Sequence, residues 1–61
     1  MALKIAKTPD GTVIREILPS GEHAYRVTDA GEWHHCADHK GPWLIVPFQD
    51  VPKRIRTAAY S

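Results

Sequence analysis

Glycines stand at positions 11, 21, 31 and 41, ten residues apart. Each closes a similar four-residue frame: Thr8-Pro9-Asp10-Gly11, Leu18-Pro19-Ser20-Gly21, Thr28-Asp29-Ala30-Gly31 and Asp38-His39-Lys40-Gly41. Pro or Asp suits the second position of a type I turn, and glycine takes the positive φ that follows without a steric penalty. A type I turn with a glycine bulge makes a three-residue hairpin loop. Corners at this spacing predict an all-β chain.

Five strands follow, at 2–8, 12–18, 22–28, 32–37 and 42–48, within one domain over 1–61. The stretches TVIREIL, HAYRVT and WLIVPF carry the β-branched and aromatic residues that strands favour. Three-residue loops pair Thr8 with Thr12, Leu18 with Glu22, Thr28 with Glu32 and Asp38 with Pro42. Side chains alternate, so this register sends Leu3, Ile5, Val13, Ile17, Tyr25, Val27, Trp33, Trp43 and Ile45 to one face. Lys4, Thr8, Thr12, Glu16, Glu22, Arg26, Thr28, Glu32 and His34 fall on the other. Lys4 then lies opposite Glu16, a favourable pair. Strand five is apolar on both sides, since Leu44, Val46 and Phe48 point to the polar face, beside Ile14, Leu18, Ala24 and Cys36.

After Phe48 comes QDVPKRIRTAAYS. Asp50 is a candidate N-cap, with Pro52 in the first turn of a short helix at 51–58. Val51, Ile55 and Ala58 or Ala59 recur at helical spacing, while Lys53, Arg54 and Arg56 point elsewhere. So short a helix cannot cover a five-stranded face alone. The sheet is therefore expected to curl into a small barrel or twist strongly, or to bury its face against a second copy.

Gly31-Glu32-Trp33, then Gly41-Pro42-Trp43 and Pro47 before Val51, resembles the tryptophan strand and late Gly–aromatic–Pro stretch of SH3-like barrels. The resemblance spans residues 31–51 and implies an SH3-like fold class. It implies no peptide-binding residues, because Gly41 and Pro47 stand too far apart and an acidic, tyrosine-rich first loop is missing.

Composition narrows the function. Eight Lys/Arg against seven Asp/Glu leave a net charge of +1, unlike a dedicated nucleic-acid binder. The single cysteine, Cys36, excludes an internal disulfide and fits a reducing compartment. The N-terminal stretch lacks the apolar core of a leader peptide, and no run approaches the roughly 20 apolar residues that span a bilayer. A cytoplasmic location is the expectation.

Four constellations stand out. The middle row of the apolar face reads Ile5, Arg15, Tyr25, His35, Ile45; Arg15, Tyr25 and His35, framed by Trp33 and Trp43, form a candidate recognition patch. Leu44, Val46 and Phe48 add surplus apolar surface for a partner or for self-association. Lys53, Arg54 and Arg56, with Arg26 and Lys4, form a candidate basic patch for nucleic acid, for which the aromatics could supply stacking. His34, Cys36 and His39 have half of a metal-ligand spacing, although a structural zinc wants four ligands. Cys36 beside His34 or His39 could also be a nucleophile–base pair, with no oxyanion site to accompany it.

The reading is a small non-enzymatic protein-binding module without a cofactor, an accessory or inhibitory protein of phage or mobile-element type acting on a host protein. The alternatives are a nucleic-acid-binding β-barrel and a Cys/His metal-stabilised fold.

Overall fold

The computed structural model describes residues 2–37 and 41–60. Five strands run in sequence order as an antiparallel meander: β1 (Ala2–Thr8), β2 (Gly11–Leu18), β3 (Gly21–Val27), β4 (Trp33–Ala37) and β5 (Leu44–Ile45). A 3-10 turn at Phe48–Asp50 leads into the helix α1 (Lys53–Ala59). Among the described residues β5 does not pair with β1, so the sheet is open rather than closed.

The third corner is built as the sequence predicts. Gly31 has φ +87°. Its N–H donates to the Thr28 carbonyl at 2.9 Å, and the Thr28 N–H donates to the Glu32 carbonyl at 2.9 Å. The first two corners are one residue tighter. Thr8 pairs with Gly11 and Leu18 with Gly21, so each loop is only two residues long. Gly11 (φ +142°) and Gly21 (φ +140°) take a conformation that keeps them in the ladder, so each opens a strand instead of ending a loop.

A one-residue slip turns a strand over. Because β2 slips against both neighbours, β2 alone of the first four strands changes sides. Ile14 and Glu16 join the face of Tyr25, Val27 and Trp33; Val13, Arg15 and Ile17 leave it. Trp33 and Ile17 thus lie on opposite sides, contrary to the sequence register. Lys4 faces Arg15 instead of Glu16, and Glu16 faces Leu3 and His23. The middle row becomes Ile5, Ile14, Tyr25, His35, Leu44, without a charge.

The fourth expected corner, Asp38–Gly41, lies largely outside the described residues. Beyond it, His34 pairs with Ile45 and His35 with Leu44, so β5 is also shifted by one and inverted. It is two residues long rather than seven. Pro42 and Pro47, which lack an N–H, flank the short pairing. The Val46 N–H still donates to the Trp33 carbonyl at 3.0 Å.

Helix α1 starts two residues later than predicted, and Asp50 is not its cap. Asp50 sits in the 3-10 turn, and Pro52 is the N-cap, its carbonyl accepting from the Ile55 and Arg56 N–H groups at 3.0 and 3.1 Å. The helical apolar spacing does place Val51 and Ile55 inward. They close a buried cluster with Ile14, Val27 and Trp33, against which Tyr25, Val46, Ala58 and Ala59 pack. A seven-residue helix is only about 10 Å long. It packs on β2 and leaves Leu3 and Ile5 of β1 40% and 49% exposed.

Candidate functional site

The new register divides the residues selected from sequence. On the helix-covered face, Tyr25 and His35 are direct cross-strand neighbours with ring centroids 4.8 Å apart. His23 stacks on His35 at 5.4 Å with 12° between planes, and its Nδ1 lies 3.2 Å from His35 Nε2. Burial, then the neighbouring His23, pushes the His35 pKa down. Burial, then the Glu16 charge, pushes the Tyr25 hydroxyl up.

Glu16, the cross-strand partner of His23, is 1% exposed. Its Oε2 and Oε1 accept from Arg54 Nε at 2.5 Å and Nη2 at 2.8 Å. This bidentate pair, with the Arg54 side chain half exposed, holds the carboxyl below the usual carboxylate range against the opposing effect of burial. Sequence reasoning placed Glu16 on a solvated face and Arg54 in a basic patch. The only cue to the pair was a charge within a β2 segment apolar at both alternations.

Trp33 belongs to the core at 2% exposure, so it frames no open patch; Tyr60 meets it edge-on at 6.4 Å. Arg15 and Trp43 lie on the opposite face, the one that the helix leaves uncovered. Arg15 is ion-paired with Glu22 there, and the Arg26 guanidinium stands 4.6 Å above the Trp43 ring. The predicted patch of Arg15, Tyr25, His35, Trp33 and Trp43 is therefore not one surface.

The last strand keeps its surplus apolar area. Leu44 is 61% exposed and Phe48 51%, while Val46 turns inward onto the core. Ile45, assigned from sequence to the buried face, is 71% exposed on the other side. Leu44 and Ile45 thus project from opposite faces of one short edge, and Phe48 follows them in the 3-10 turn.

Among the described residues, the basic side chains named from sequence do not gather into one free cationic surface. Arg54 is tied to Glu16, and the Arg56 guanidinium lies 4.8 Å over the Phe48 ring. Lys53 is exposed, whereas Lys4 and Arg26 lie on the uncovered face. Of the candidate metal ligands, His34 Nε2 lies 3.0 Å from Glu32 Oε1. Cys36 is buried and donates to the Gly41 carbonyl at 3.1 Å. His39 lies outside the described residues, among which no three His, Cys, Asp or Glu side chains are grouped to hold a metal.

An open pocket of about 300 Å³ lies between the end of α1 and the sheet, lined by Lys7, Thr12, Asp29, Ala59 and Tyr60 among others. None of the candidate site residues lines it. No helix among the described residues is long and apolar enough to cross a membrane. No protein-family model, curated protein or solved structure matches the chain.

Proposed function

We propose that the protein is a non-enzymatic binding module that engages another protein through the edge formed by Leu44, Ile45 and Phe48. One observation carries the reading: three large apolar side chains, 61%, 71% and 51% exposed, fall within five consecutive residues, two on the β5 edge and one in the 3-10 turn after it. Burying such a side chain fully is worth about 1.5–3 kcal/mol, which favours covering these by a partner. Tyr25 and His35, in the same row as Leu44, give the patch a polar border.

In this reading the chain is a cytoplasmic accessory or inhibitory protein of phage or mobile-element type, and its curled meander is an opened SH3-like barrel with α1 on the inner side. The nucleic-acid alternative is weakened because Arg54 is engaged by Glu16 and Arg56 by Phe48.

The test is affinity capture from a host lysate with the immobilised wild-type chain and a Leu44→Ser/Phe48→Ser variant. The reading expects at least one protein retained by the wild type and lost with the variant. Identical retention by both chains would overturn it.

A further inference from the structure

We infer that the protein associates with a second copy of itself by antiparallel pairing of β1 with β1 across a two-fold axis, at an edge distinct from Leu44–Phe48. Strand β1 is an outer strand of an open sheet, seven residues long and exposed throughout. Every second residue of an outer strand turns its N–H and C=O away from its only partner, and such an edge is a template for another strand. Beside it, Leu3 and Ile5 stay 40% and 49% exposed because α1 stops short of β1.

The sequence of β1 fits itself in one register. A two-fold axis between antiparallel strands passes through a residue opposite its own copy. The midpoint of Ala2–Thr8 is Ile5, so only an axis at Ile5 pairs all seven residues. Ile5 then faces Ile5, Leu3 faces the aliphatic stem of Lys7, Lys4 faces Ala6, and Ala2 faces Thr8. No lysine lies opposite a lysine. An axis at Lys4 sets two lysines face to face, and one at Ala6 exchanges the Ile5 contact for Ile5 against Lys7. Like charges directly opposite destabilise a pair, whereas matched apolar residues stabilise it.

One repulsion remains. With the axis at Ile5, the two Lys4 side chains are diagonal neighbours about 7–8 Å apart on the uncovered face, where each already faces an arginine, Arg15, across β2. That distance is within a Debye length at moderate salt, so added salt strengthens the pairing. The buried area of one strand pair falls below the roughly 1,200 Å² of a standard interface, so the dimer is weak and reversible.

Sedimentation equilibrium of the full chain from low micromolar to millimolar concentration tests this. The wild type is expected to pass from monomer toward dimer, more readily at higher salt. Ile5→Lys sets two lysines opposite each other and should weaken association about tenfold or more while circular dichroism stays unchanged. Lys4→Ala removes the diagonal repulsion and should strengthen it, a gain that no loss of folding can imitate. Leu44→Ser/Phe48→Ser should leave it unaltered, which separates this edge from the partner-binding one. A wild type monomeric throughout, an Ile5→Lys chain that associates like the wild type, or dimerisation lost only with the Leu44/Phe48 variant would each overturn the inference.

Discussion

Arg54 of α1 closes on both carboxylate oxygens of Glu16 in β2, joining residues 38 positions apart through one bidentate contact. Glu16 is almost fully enclosed, so it depends on this partner. Arg54→Ala strands the carboxylate, and an unsatisfied buried acceptor of the Glu16 kind costs about 1–3 kcal/mol. A domain this small holds only about 3–5 kcal/mol in total, so the variant should show a clearly lower urea midpoint. The pH profile carries the same signature. The folded-state pKa of Glu16 is depressed, so its contribution is complete above the unfolded carboxylate pKa, near 4.3, and is lost as pH falls through the folded value. Thermal melts between pH 7 and pH 3 should show that loss in the wild type and a shallower one in Arg54→Ala.

His35, stacked on His23, gives a second pH dependence at a different place on the scale. The His35 Nε2 lies 3.2 Å from His23 Nδ1, and a ring nitrogen that accepts there must be unprotonated. The His35 pKa is lowered in the fold, so the unfolded chain takes up its proton first as pH drops below about 6.5. Stability is full above that pH and declines as pH falls through the window below it. His35→Gln should flatten the change in melting temperature between pH 7.5 and 5.5. A variant as pH-sensitive as the wild type would place the titration on a group other than His35.

Much of the architecture was legible, and the part that was not has a definite origin. The strand number, the Gly31 corner and the inward Val51–Ile55 spacing all follow from local signals. The side of β2 does not. Its apolar residues split evenly, Val13 and Ile17 on one alternation and Ile14 and Leu18 on the other, so hydrophobicity cannot choose between them. A Pro-containing corner ending in glycine accommodates either loop length. The choice is settled at long range, where Ile14 meets Val51 and Ile55 and Glu16 finds Arg54. The recognition patch was composed across that register, so Arg15 and Trp43 parted from Tyr25 and His35 when β2 and β5 turned over.

Gly11 and Gly21 share a backbone conformation but not surroundings. A Cβ at Gly11 would lie 2.1 Å from the Val27 carbonyl oxygen, whereas one at Gly21 meets nothing within 4 Å. Both alanine variants bear the backbone strain of positive φ, about 1–3 kcal/mol. Gly11→Ala adds a clash with main chain that can relax only by spreading β2 from β3. Chemical denaturation should rank wild type above Gly21→Ala, and Gly21→Ala well above Gly11→Ala.

Cys36 behaves as a packed apolar group with its thiol directed at the Gly41 carbonyl. Its 2% exposure predicts slow reaction with a thiol reagent under native conditions, at a rate that rises with denaturant in step with unfolding. Fast modification of the folded chain would place the sulfur at the surface instead.

Two of the five side chains that seal the interior, Val51 and Ile55, are made last during synthesis. A nascent chain that has already delivered all five strands still has Ile14 and Trp33 open to water, and the Glu16 carboxylate waits for its guanidinium. A chain cut before Val51 is therefore expected to lack a sealed interior and to aggregate through the apolar side chains left open.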